Sequence, residues 1–342
     1  MARQKTDSPS FQSIMAELKQ AKYHPIYFLN GEEAYFIDAI SDFIEKHALT
    51  ESEKAFNQLV LYGKEIEFKQ VMDSARQFPM MANRRVVIVK EAQEMSTLNS
   101  LEPYFKNPSP QTILVINYKH KKLDKRTAFA KTVQQNSLFF ESKKLYDNQV
   151  PQWVMNYLHQ KGMEIDGRSA QLIAEYLGND LTKLTNELGK LVLNLSDRKQ
   201  ITPEDIEVNI GISKDYNVFE FQNALGQKNK SKAVRIISYF ISNPKKNPLI
   251  KINIILFNFF VKVYLTQSNP QLDDRSLAKV LKIGSTYFLK DYRTAARNFS
   301  SSKLESIFEH LLITDMRMKG INNHHVSDQE LLKELTFHIL AP

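Results

Sequence analysis

With 342 residues, 42% hydrophobic and 25% charged, the chain has the composition of a globular protein too long for one core, so two or three domains are expected. The absence of cysteine excludes disulfides and cysteine-ligated zinc or iron–sulfur clusters. The net charge of +8 is uneven: +2 over residues 1–142, −2 over 143–211 and +8 over 212–342.

The basic last third is suited to attract phosphate backbones or an acidic protein, or is a lysine-rich surface that serves solubility. No uninterrupted apolar run reaches the ~18 residues of a bilayer span, because Ile252 to Leu265 is broken by Asn253, Asn258 and Lys262. The basic start Met1-Ala2-Arg3-Gln4-Lys5 is followed by polar residues where a signal peptide places its apolar segment. A cytoplasmic location without a membrane partner is expected.

Residues 1–142 alternate strand and helix signals. Pro25 to Leu29 is a short apolar run closed by Asn30-Gly31, and Ile37, Ile40, Phe43 and Ile44 follow at helical spacing. Ala55 to Tyr62 reads as a strand stopping at Gly63. Ile66 to Phe78 reads as a helix that Pro79 interrupts. Arg85 to Val89 and Thr112 to Ile116 are β-branched runs of the kind buried on both faces, and Ser137 to Phe140 is a fifth, weaker strand. Such interleaving predicts a parallel sheet covered on both sides.

From residue 143 the β signals end. Val150 to Gly162, Arg168 to Leu177, and the spacing of Leu181, Leu184, Leu188 and Leu191 predict three helices. Thr202-Pro203-Glu204-Asp205 has the layout of a fourth helix start. Residues 212–342 are also helical in pattern: Phe219, Gln222 and Leu225; Ala233, Ile236, Ile237 and Phe240; and Leu304, Ile307, Phe308, Leu311 and Leu312. Asn243-Pro244 and Asn247-Pro248 bracket a break. The expected architecture is therefore an α/β domain (1–142), a small helical domain (143–211) and a second helical domain (212–342).

A strand ending in Gly31 before a helix is where a phosphate-binding loop of the form GxxxxGK[ST] would sit, its glycines admitting the phosphates and its lysine neutralising them. Here Phe36 replaces the second glycine, Ile37 replaces the lysine, and Glu32 and Glu33 add negative charge. The strand ending Lys90-Glu91 offers one carboxylate beside a lysine, a poor magnesium site. No GxSxG, HExxH or catalytic carboxylate pair is present, and His324-His325 lacks ligand spacing. No catalytic residue, cofactor or metal is expected.

Several ordered stretches together resemble the delta subunit family of the bacterial DNA polymerase III clamp loader. They are Tyr27 to Ile37, Gln77 to Val89, Lys122 to Arg126, Asn179-Asp180-Leu181, Asn186 to Leu191, Ile201 to Phe221 and Asp315 to Gly320. The resemblance implies an AAA+-like sheet domain with a degenerate loop, a small helical lid and a C-terminal helical collar. It implies a protein without its own catalytic site, serving the polymerase III holoenzyme, a nucleotidyltransferase. The implied partners are the sliding clamp (beta), the ATPase subunits (tau/gamma), delta-prime and primer-template DNA. In such a protein Met80 and Met81, with Phe78 supporting them from behind, would bind and open the clamp, methionines standing where leucine and phenylalanine are more usual. Without the resemblance, the same three residues read as core beneath the sheet sooner than as an exposed tip, since apolar residues beside a strand are usually interior. Lys119, Lys121, Lys122, Lys125 and Arg126 form a candidate DNA contact, or a solvated face. The rival readings are a working AAA+ ATPase or helicase, and a DNA-binding protein with no clamp partner.

Overall fold

The computed structural model describes residues 9–195, 198–213, 216–283, 286–323 and 325–341. The chain forms two compact units, Met1–Leu145 and Tyr146–Pro342.

The first unit runs α1 (Phe11–Lys19), β1 (Ile26–Gly31), α2 (Ala34–His47), α3 (Glu51–Asn57), β2 (Gln58–Tyr62), α4 (Phe68–Arg76), β3 (Arg85–Lys90), α5 (Glu102–Lys106), β4 (Thr112–Lys119), α6 (Ala128–Asn136) and β5 (Leu138–Ser142). The five strands are parallel in the order β2-β3-β4-β1-β5. Alternate residues serve opposite faces, as the two-residue strand period requires. Ile26, Phe28, Val87, Val89, Leu114 and Ile116 pack with Val71, Ala75, Phe105, Phe129 and Val133. Tyr27, Leu29, Val86, Ile88, Ile113 and Val115 pack with Ile14, Leu18, Ile37, Ile40 and Ile44. Both faces are thus apolar, which explains the continuous hydrophobic runs of β1, β3 and β4. This is the parallel sheet covered on both sides that the interleaved strand and helix signals predict.

Two boundaries differ from expectation. Residues Ala55 to Asn57 close a helix rather than open a strand. Glu53 accepts hydrogen bonds from the Thr50 N–H and hydroxyl, each 2.8 Å, and this capping box carries the helix through Phe56. The helix predicted over Ile66 to Phe78 spans only Phe68–Arg76, and Gln77 is extended with ψ 138°. Pro79 thus stands three residues beyond the end of a helix that has already unwound.

The second unit contains α7 (Val150–Gln160), β6 (Glu164–Ile165), α8 (Gly167–Leu177), α9 (Leu181–Asn194), β7 (Gln200–Ile201) and α10 (Pro203–Ile210). They are followed by α11 (Val218–Gly226), α12 (Lys230–Ser242), α13 (Leu249–Ser268), α14 (Asp274–Val280), α15 (Leu289–Asn298), α16 (Ser301–Met318) and α17 (Asp328–Leu340). Leu181, Leu184, Leu188 and Leu191 are buried on α9. The Thr202 capping box is formed, its N–H and hydroxyl donating to Asp205 at 2.8 and 3.0 Å. Phe221, Phe240, Phe260 and Phe299 anchor the core of α11 to α17. α13 is long and apolar enough to cross a membrane, but Ile252, Leu256, Phe259, Phe260 and Val263 are spent on that core.

Candidate docking tip and degenerate nucleotide site

In a parallel sheet all carboxyl ends lie along one edge and all amino ends along the other. The turn from α4 to β3, residues 77–84, stands at the amino edge. Its ends are pinned by buried polar groups. The Arg85 guanidinium, 8% exposed, donates to the Ser74 and Phe56 carbonyls at 2.9 and 3.1 Å. These carbonyls lie in the last turns of α4 and α3, where cations are favoured. Thr112 donates to the Ala75 carbonyl at 2.8 Å. Arg84 lies over the Tyr23 ring, 4.7 Å from its centroid.

Between these anchors Phe78, Met80 and Met81 are 82%, 60% and 102% exposed. They are not core residues beneath the sheet. Phe78 does not support the methionines from behind but stands in solvent as they do, because Gln77 leaves the helix before Phe78 can turn inward. Met81 has φ 53°, a left-handed conformation that costs a non-glycine residue about 1–2 kcal/mol. The support comes from Asn57, which sequence reasoning missed. Its fully buried side chain accepts from the Met80 N–H at 2.7 Å and donates to the Met80 carbonyl at 2.9 Å. Phe56 beside it is also exposed.

The degenerate loop lies at the opposite, carboxyl edge. Gly31 has φ 134°, and a Cβ there would meet the Ser142 carbonyl oxygen at 2.0 Å, so this glycine serves the close approach of β1 to β5. Its N–H donates to Lys121 O at 3.1 Å. The Glu33 carboxylate, 6% exposed, accepts from the Tyr35 N–H and caps α2. A carboxylate of the chain therefore occupies the helix N-terminus that a phosphate would need. Phe36 packs on Phe11 with centroids 4.8 Å apart, and Ile37 is fully buried. At the end of β3, Lys90 pairs with Glu45 at 2.9 Å and Glu91 with Lys119 at 2.9 Å.

The five basic residues beside this edge are mostly neutralised within the chain. Lys119 pairs with Asp38 and Glu91 at 2.7 and 2.9 Å; burial works to lower its pKa, but these carboxylates outweigh it and hold the ammonium above the ordinary lysine value. Lys122 pairs with Glu32 at 3.2 Å, Lys125 with Glu141 and Arg126 with Asp124. The Arg126 hydrogen bonds pull Asp124 down to about 2. Lys121 has no ion-pair partner among the described residues. Tyr118 stacks on the core Phe28 ring and offers no platform for a base. His324 lies outside the described residues, and no cluster of three metal-ligating side chains occurs among those described.

Known proteins match this chain along its length. The family described as "DNA polymerase III, delta subunit" matches residues 27–143, and its C-terminal domain matches residues 215–336. DNA polymerase III subunit delta of Bacillus subtilis is 26% identical over 334 residues, 94% of each chain. A relative from Aquifex aeolicus, named as a probable delta subunit, is 25% identical over 230 residues, 64% of each chain. The structure of the Bacillus subtilis DNA clamp loader delta protein shares the fold, with a TM-score of 0.52 at 24% identity, covering 97% of this chain and 100% of that one. Matched in order over both the sheet unit and the C-terminal helices, the chain belongs to the delta subunit family of the DNA polymerase III clamp loader.

Proposed function

We propose that this subunit binds the sliding clamp through Phe78, Met80 and Met81 and opens it for loading onto primed DNA, without hydrolysing ATP itself. The observation that carries this reading is a solvent-exposed apolar turn whose backbone is pinned from behind. An unsupported loop of that composition would collapse onto the domain. Methionine suits a partner pocket because its flexible thioether adapts to the shape offered. Burying each methionine would contribute ~1.5–3 kcal/mol. Opening needs no chemistry here: a subunit that prefers the open or strained ring shifts the ring's equilibrium by that difference in affinity.

Several features support a protein that leaves ATP to its neighbours. Ile37 cannot neutralise a phosphate, Glu33 already caps α2, and Lys119 is engaged by Asp38 and Glu91. A working ATPase would need these groups rearranged. In this reading residues 143–211 are the lid and 212–342 the collar, which joins the ATPase subunits and delta-prime, with primer-template DNA as a further partner and the cytoplasm as the site of action.

The test is co-elution with the cognate clamp on gel filtration, followed by affinity measurement. Changing Met80 and Met81 together to serine is expected to weaken binding about 100-fold or more, with thermal unfolding unchanged because both side chains are exposed. A folded double variant that keeps native affinity refutes the assignment.

A further inference from the structure

We infer that Asn57 is the positioning residue of the clamp-binding tip, holding it in its docking conformation before the clamp arrives. The inference rests on the reading of Met80 and Met81 as clamp contacts, and it deepens that reading by naming what presents them.

The geometry is specific to a carboxamide. Asn57 uses Oδ1 to accept the Met80 N–H at 2.7 Å and Nδ2 to donate to the Met80 carbonyl at 2.9 Å. The second Nδ2 hydrogen goes to the Glu53 carbonyl at 3.0 Å, one turn back in α3. One side chain thus imitates the paired edge of a neighbouring strand for a single residue of the tip, while its own helix locks its rotamer. Asn57 is wholly buried, whereas Met80 beside it is 60% exposed. The clasp therefore grips the backbone and leaves the methionine side chain free for a partner.

Two further observations agree. Met81, the next residue, is left-handed at φ 53°, and such a conformation persists in a non-glycine residue only where the surroundings impose it. The flanks are fixed as well, by Arg85 on the Ser74 carbonyl and Thr112 on the Ala75 carbonyl. Within the turn, Asn57 supplies the hold at Met80. Without it, Met80 would lose both backbone partners and the exposed side chains would sample many arrangements. A clamp would then find the competent arrangement in only a fraction of molecules, and apparent affinity would fall by that fraction.

This predicts a kinetic signature that separates positioning from contact. Asn57→Ala is expected to slow association with the clamp by about tenfold, the size of effect given by a tip that is competent in about a tenth of molecules. Its dissociation should stay near that of the native protein, because Asn57 itself makes no clamp contact. Met80→Ala should instead speed dissociation, as loss of a contact usually does. Independently of any clamp, amide hydrogen exchange at Met80 should be much faster in Asn57→Ala. Asn57→Asp would turn a buried carboxylate oxygen on the Met80 and Glu53 carbonyls, so it should disturb the tip at least as much as Asn57→Ala. Where neither variant folds, the native protein carries the test: its exposed tip should show a protected Met80 amide, and fast exchange there overturns the inference. A folded Asn57→Ala with native association rate, or with Met80 exchange unchanged, overturns the inference, and so does a loss of affinity expressed only in dissociation. If the Met80 and Met81 variants also bind like the native protein, it is the clamp-binding reading that has failed, and Met80 exchange still reports whether Asn57 holds the turn.

Discussion

Ile37 sits where a phosphate-binding loop carries its lysine, and its side chain is fully buried among Leu29, Ile40 and Val115. Restoring the lysine should therefore fail as a gain of function. Ile37→Lys would place an ammonium in an apolar core without a buried partner, at a cost of about 3–5 kcal/mol. Urea denaturation is expected to show that loss, and titration with a fluorescent ATP analogue should show no binding, because Glu33 still caps α2 and Phe36 still packs on Phe11. Tight nucleotide binding by this variant would mean that only the lysine is missing. At this scale the sequence was legible where a signal is local. The lost lysine, the paired glutamates and the proline before two methionines are all neighbours in the chain. Asn57 was not, because its partner Met80 lies 23 residues away and nothing in the local pattern distinguishes this asparagine from any other at a helix end. Phe78 was misplaced because its orientation depends on where α4 unwinds.

At the level of elements, periodicity located the strands and most helices, and capping decided their edges. The β-branched runs of β3 and β4 and the leucine spacing of α9 read directly. Ala55 and Phe56 have strand-compatible composition, yet the Thr50–Glu53 box commits them to α3. The packing of α8 near α13 was not legible, and it carries a pH dependence. Glu175 on α8 lines a cleft with Tyr176, Tyr216, Lys246 and Lys251. Burial pushes its carboxyl up to about 7 from the ordinary value near 4.5, with the Gln171 hydrogen bond, Lys262 and Lys251 opposing and Asp147 assisting. Burial and the nearby Lys183 hold Lys251 below the ordinary lysine value, with Glu175 opposing. A raised folded-state pKa means that the contribution of Glu175 to stability is full below about 4.5 and is lost as pH rises through about 7. Glu175→Gln is thus expected to stabilise the protein at pH 8 by about 1–3 kcal/mol, the residual exposure of the cleft trimming the full shift. Near pH 4.5 it should change little. Urea midpoints at the two pH values check this, and equal effects at both would show that the carboxyl is not strained.

For the whole molecule, the distribution of charge separates two regions that composition alone leaves equivalent. The stretch from Lys119 to Arg126 looks basic in the sequence, but its ionic partners Asp38, Glu91, Glu32 and Glu141 come from distant positions and become visible only once the sheet is assembled. Residues 212–342 carry the entire net excess of +8, and Lys230, Lys245 and Lys246 there are exposed. DNA attraction through counterion release scales with phosphates neutralised by cations not already paired, at a slope of about −0.9 per phosphate in log affinity against log salt for duplex. Changing Lys122 and Lys125 together to alanine is therefore expected to shift duplex affinity by less than about twofold, since both already have carboxylate partners. Changing Lys230, Lys245 and Lys246 to glutamine should weaken binding at low salt and flatten the slope by up to about 2–3. Fluorescence anisotropy of the full chain with primer-template DNA, titrated at several salt concentrations, measures both. If the first set carries the larger salt dependence, its ion pairs must open on DNA, and the edge beside the degenerate loop is then the surface that faces the nucleic acid.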